Sequence, residues 1–238
     1  MEVAGLTARA RALWESLAGE AVAFEPAVRV TVSRRSLLCP PGWVGIVVID
    51  GAAIATAPAA GTARTVQDAL GAVPVASLTD PAVLGARLPV RELLGPASLA
   101  YLDAAEFRAR HGRQATEVIP PRDAALHRFL AAGDPLEVEE SAMAEITSPA
   151  FAVREHGQIV AVAGYRDWPG RVAHLSVLTA APARGRGLAQ VTASAAVAHA
   201  LHQGKLPQWR ARLPASRRVA RALGFRELGA QASIRLRG

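Results

Sequence analysis

The chain has 238 residues, 51% hydrophobic and 20% charged, enough apolar material for one large or two small domains, which excludes disorder as its dominant state. Its single cysteine, Cys39, excludes an internal disulfide and a thiolate zinc site and fits a reducing compartment. Of 27 basic and 20 acidic residues, ten Arg and Lys205 lie from Arg184 onward against Glu227 alone, net +10, which leaves the first 183 residues slightly acidic at −3.

In chain order, an apolar-periodic run from about Val3 to Leu17 predicts a helix, and Val28–Val32 alternates as a strand does. Val44–Ile49, Asp50-Gly51 and Ala52–Ala57 read as a hairpin around an Asp-Gly turn. Helical pattern resumes over Ala63–Leu70, with shorter helical pieces through Leu84, Leu94 and Tyr101–Phe107. The polar run Arg108–Gln114 is the best linker candidate, so the expected domains are 1–110 and 115–238. Beyond it, Thr116–Ile119 reads as a strand, Pro120-Pro121 opens a helix to about Leu130, and Leu136–Glu145 reads as a second helix. Ala150–Val153, Ile159–Tyr165 and Val172–Leu178 form an antiparallel run with a turn at His156-Gly157. A helix from Leu188 to His202, a strand at Gln208–Arg212, a helix over Ser216–Leu223 closed by Gly224, and one or two strands in Glu227–Leu236 complete the chain. The first residues, Met1–Gly5, lack the basic region of a secretory leader, and the best apolar run, Trp43–Ile49, is far short of a bilayer span. The expectation is a cytoplasmic protein with no membrane partner.

The chemistry concentrates between Thr179 and Ala189. A strand, a loop of small residues and a helix start place consecutive backbone N–H groups at a positive helix end, which suits a pyrophosphate. Gly185 and Gly187 let the backbone approach such a ligand, and Arg184 and Arg186 add charge. Gln190 stands where a dinucleotide fingerprint needs its third glycine, and no Gly-Lys-Ser/Thr occurs.

Arg184-Gly185-Arg186-Gly187-Leu188-Ala189 resembles the Arg/Gln-x-x-Gly-x-Gly/Ala signature of the GCN5-related N-acetyltransferase (GNAT) family, with Val177-Leu178-Thr179 at the family's usual distance before it. Ala215 to Phe225 is similar to the family's downstream pattern. The resemblance covers about Ala115 to the C-terminus. It implies an α/β (α+β) fold, a mixed and mostly antiparallel sheet flanked by helices, here preceded by a smaller α/β N-terminal domain. Strand-hairpin-helix order recurs in that domain, as in a degenerate GNAT-like half. The resemblance further implies an N-acyltransferase that passes an acetyl or other acyl group from acyl-CoA to a primary amine of a small molecule or amino acid by direct attack, with no metal. Val177 and Thr179 would pair with the pantetheine arm, the amides of Arg184–Ala189 would hold the pyrophosphate, Ser216 would contact the arm, and a backbone N–H near Val177 or Leu178 would face the oxyanion.

The sequence departs from the family where Ala220 replaces a frequent tyrosine acid and Leu213 a frequent asparagine. His174 resembles the base of the serotonin N-acetyltransferase branch, although strand parity selects Ala173 and Leu175 for the catalytic face unless a bulge intervenes. Glu145 is the second candidate base, and Glu139 and Glu140 read as surface. Tyr165, Trp168 and Trp209 are candidates for an acceptor pocket or for core, and His199 and His202, without a local Cys or acid, read as a helix end rather than metal ligands. Two further readings keep the fold: an aminoacyl-tRNA donor drawn by the basic C-terminal field, or a non-catalytic CoA-binding protein. The oligomeric state stays open, a dimer included.

Overall fold

The computed structural model describes residues 5–237; Val3 and Ala4, where the first expected helix begins, lie outside the described residues. In chain order the elements are α1 (Leu6–Leu17), β1 (Val30–Val32), β2 (Val44–Ile49), β3 (Ala52–Ala57), α2 (Ala60–Leu70), α3 (Pro81–Arg87), β4 (Val90–Tyr101) and β5 (Glu117–Ile119). There follow α4 (Ala124–Ala131), α5 (Pro135–Ser141), β6 (Ala150–Glu155), β7 (Gln158–Trp168), β8 (Val172–Thr179), α6 (Leu188–His202), β9 (Leu206–Ala211), α7 (Pro214–Ala222) and β10 (Arg226–Leu236). Two compact units emerge: one gathers the chain to Ala100, Ala211–Leu213 and Glu227 onward, the other Tyr101–Arg210 and Pro214–Arg226.

In the first unit the strand order is β1-β3-β2-β10-β4. The β2–β3 hairpin pairs Ile49 with Ala52 around Asp50 and Gly51, both at positive φ, as a tight two-residue turn requires. β10 lies antiparallel on β2, from Gly229↔Ile49 to Ile234↔Val44, so the last strand of the chain completes a sheet begun by its first half. Val66, Leu70, Leu78 and Leu84 from the helical side pack on Val44, Ile46, Ala55 and Ile234. The helical pattern expected around Leu94 is instead part of β4, and of that expected over Tyr101–Phe107 only a 3-10 turn at Ala104–Glu106 forms. Local propensity in Arg91-Glu92-Leu93-Leu94 favours helix, but Pro89 and Pro96 bracket the segment and sheet pairing overrides it. A hairpin and helix, β2-β3-α2, recur here, yet the parallel neighbour of β3 is β1, which precedes the hairpin, and residues 57–60 contain no positive-φ turn.

In the second unit the order is β9-β8-β7-β6-β5, antiparallel except for the parallel β8–β9 pair. Alternation along the central strands sorts residues to two faces. Tyr165 and Ala161 face α6, where Tyr165 Oη meets His199 Nδ1 at 2.9 Å and Ala161 packs with Leu188. Val162 and Leu178 face α4 and α5, where they bury Leu126, Met143 and Ile146. The expected helix Leu136–Glu145 is broken: α5 ends at Ser141, Ala142 turns left-handed at φ 49°, and a 3-10 turn over Met143–Glu145 drives Met143 into that core. Among the described residues no helix is long and apolar enough to cross a membrane.

Candidate functional site

The site lies in the second unit, where β8 and β9 part. Their register runs Val172↔Leu206, Ala173↔Pro207 and His174↔Gln208 and then stops, although β8 continues to Thr179. From Leu175 to Thr179 the β8 backbone is bonded to β7 on one edge and has no β9 partner on the other. Val177, Leu178 and Thr179 stand on that open edge, and Thr179 Oγ1 is buried without a hydrogen-bond partner.

At the end of β8 the chain makes a 3-10 turn over Ala181–Ala183 and enters α6 through Gly185 at φ 76° and Gly187 at φ 78°. Both glycines occupy the left-handed region, and a Cβ built on either would meet nothing within 4 Å, so the loop surface beside them is open. Gly187 is the N-cap and offers no side chain to the first turn, while the acceptors that the first helical amides would need are absent: among the described residues, the amides of Gly185 to Ala189 donate to no backbone carbonyl. Leu188 is buried with Val153, Ala161 and Ala183 and pins the loop to the sheet. The five amides and the helix dipole form an anion cradle.

The two arginines of this loop are committed to carboxylates. Arg184 bonds Glu137 on α5 and, through Nε, the Thr179 carbonyl at 3.3 Å. Arg186 makes a two-pronged pair with Glu155, whose other hydrogen bond comes from Gln114 Nε2 at 2.8 Å. Those bonds hold the Glu155 carboxyl down at about 2. Ser216, at the start of α7, accepts from Trp209 Nε1 at 2.9 Å, which leaves its own O–H free to donate. Trp209 packs edge-on against Phe225 at 5.4 Å and is core, as is Ala220 at the position of the absent tyrosine.

On the α4/α5 face the register sets Arg166, His174 and Gln208 in one row across β7, β8 and β9. His174 is buried, stacked on Trp168 at 4.2 Å, and donates from Nδ1 to Gln208 Oε1. Burial first, then the Arg210 and Arg166 cations, push its imidazole down to about 3, so it is neutral at physiological pH. Glu145 is half-exposed, is ion-paired with Arg166, and borders an open depression with Arg122 and His127. No register shift interrupts the β7–β8 pairing, so His174 faces α5 with Arg166, whereas Tyr165 and Leu175 face α6. His199 is bonded to Tyr165 and lies 5.5 Å from Phe151, and burial lowers its pKa. Gln208 carries no functional signal in the sequence beyond its place in a strand, because its position at the strand junction comes from pairing rather than from any local pattern.

Residues 149–230 match the family model of the GNAT acetyltransferases. A comparison with curated proteins finds no match. Among solved structures, an acetyltransferase from the GNAT family of Colwellia psychrerythraea is 13% identical with a TM-score of 0.48, covering 63% of this chain and 59% of its own. A GCN5-related N-acetyltransferase from Kribbella flavida is 17% identical at TM-score 0.47, covering 68% and 64%. One from Sphaerobacter thermophilus is 15% identical at 0.45, covering 65% and 55%. In each case the aligned part spans less than two thirds of the relative's own length.

Proposed function

We propose that the unit carrying the GNAT acetyltransferase match is an N-acyltransferase that takes its acyl group from acetyl-CoA or another acyl-CoA and passes it to the primary amine of a small molecule. The observation that supports this most is the pairing of an opened β8 edge with an unfilled amide cradle directly after it. A pantetheine arm carries amides that can complete the bare β8 edge at Val177 and Thr179, and its pyrophosphate suits the amides of Gly185 to Ala189. The orphaned Thr179 Oγ1 between the two supplies a polar group at the bend.

In this geometry the thioester carbonyl lies against a free β8 amide near Val177 or Leu178, which stabilises the oxyanion as it forms. The amine nitrogen attacks the carbonyl carbon, the C–S bond breaks, the nitrogen gives its surplus proton to water, and the thiolate takes a proton from water or from the Ser216 hydroxyl, which water reprotonates. Arg184 and Arg186 brace the loop through Glu137 and Glu155 rather than presenting free charge, so the cradle binds chiefly through backbone. That favours a small donor over a polyanionic RNA.

Gly187→Val tests the reading. The added side chain enters the cradle and a β-branched residue is strained at this φ, so acetyl-CoA affinity measured by calorimetry falls at least about tenfold while the far-UV spectrum is retained. Unchanged affinity in the variant, or no binding of acetyl-CoA to the unaltered protein at either low or high salt, refutes the donor site.

A further inference from the structure

Gln208 is wholly buried; its Oε1 is taken by His174 and its Nε2 donates to nothing. A buried amide N–H without an acceptor is costly to keep, and this one sits where β8 and β9 part, at the inner end of the proposed donor cleft. Two arginines stand near its partner His174. Arg166 stands in the same row and spends one terminal nitrogen on Glu145, leaving its other guanidinium N–H groups available. Arg166 and Arg210 are both positive neighbours of the buried His174. Arg122 and His127 border an open depression beside Glu145, the one acid among its lining residues.

Resting on the acyltransferase reading, we propose that the acceptor bears a carboxylate close to its amine, as an amino acid does, with one carboxylate oxygen on Gln208 Nε2 and the other on Arg166. The carboxylate satisfies the orphaned donor and pairs with the free guanidinium N–H groups of Arg166. The balance is that of aminolysis: the nitrogen lone pair forms the C–N bond, the C–S pair leaves with sulfur, and the surplus N–H proton passes to solvent or the thiolate.

The test compares amines matched with and without the group, glycine against methylamine and β-alanine against ethylamine, using thiol release from acetyl-CoA. In parallel, N-acetylglycine and N-methylacetamide are titrated as product analogues by ligand-observed NMR. Expected is a preference of at least about tenfold for the carboxylate member in kcat/KM and in product binding. Arg166→Gln and Gln208→Glu should each collapse that preference toward unity while acetyl-CoA affinity is kept. Equal or better use of the neutral amines, equal binding of the two product analogues, failure of N-acetylglycine to bind, or a preference that survives both substitutions overturns the inference. Absence of acetyl-CoA binding in the unaltered protein instead overturns the donor reading beneath it, and the product-analogue titration still judges the carboxylate seat.

Discussion

Glu155 braces the cradle from outside it. Its carboxyl is held at about 2 mainly by the Arg186 hydrogen bonds, with Gln114 second, against an ordinary value of 4.5. A carboxyl lowered on folding stabilises the native state above its unfolded pKa, and that contribution is lost as pH falls toward the folded value. Glu155→Gln should therefore lower stability at neutral pH, with the gap to the unaltered protein closing between about pH 4.5 and about pH 2 in urea titrations. A gap that persists at pH 2, or widens there, shows that Arg186 does not depend on this charge. Glu155 is exposed enough for the effect to be small and reduced by salt.

At the scale of elements, α7 is stopped by Gly224, which stands at φ 97° with an imaginary Cβ in collision with the Glu106 carbonyl. Gly224→Ala combines a left-handed alanine with a backbone clash and should cost at least about 2 kcal/mol in urea unfolding. Gly185→Ala, with open space around it, should cost about 1 kcal/mol. Equal costs for the two would mean that conformation alone, and not the close approach, decides. Elements of this kind were readable in advance: α6 runs over the residues its pattern indicates, the Asp-Gly hairpin closes where its turn residues stand, and the loop glycines take the backbone their motif needs. All three depend on neighbours in sequence. The Arg166–His174–Gln208 row depends on register between three strands, and the break at Ala142 on the burial of Met143. Neither has a local signature. In β4 the local signature pointed the wrong way, because sheet partners outweigh a helical propensity worth only tenths of a kcal/mol per residue.

For the whole molecule, the basic C-terminal stretch is less of a free field than its composition suggests. Arg184, Arg186, Lys205, Arg226 and Arg235 each have a carboxylate partner drawn from earlier in the chain. Those partners lie 30 or more residues away, and no composition window pairs them. The same reach across the chain governs the first unit, whose sheet takes β10 beside β2 and β4. A fragment of residues 1–100 should accordingly lack a cooperative thermal transition and bind hydrophobic dye, and a synthetic peptide of residues 226–238 should restore the transition. A fragment that melts cooperatively by itself would show that β10 is dispensable to that core.

The place of β10 also orders events in time. When β4 leaves the ribosome its neighbour in the sheet does not yet exist, and about 125 residues must still be made before it does. At about 5–20 residues per second the wait is on the order of ten seconds. Over that interval the nascent chain carries Val44, Ile46 and Val48 on a strand with an unfilled edge, while the second unit, whose strands and helices are nearly contiguous, is synthesised and can close first. The N-terminal half is thus made first and finished last, and a ribosome that stops short of β10 releases a chain with only one of its two cores.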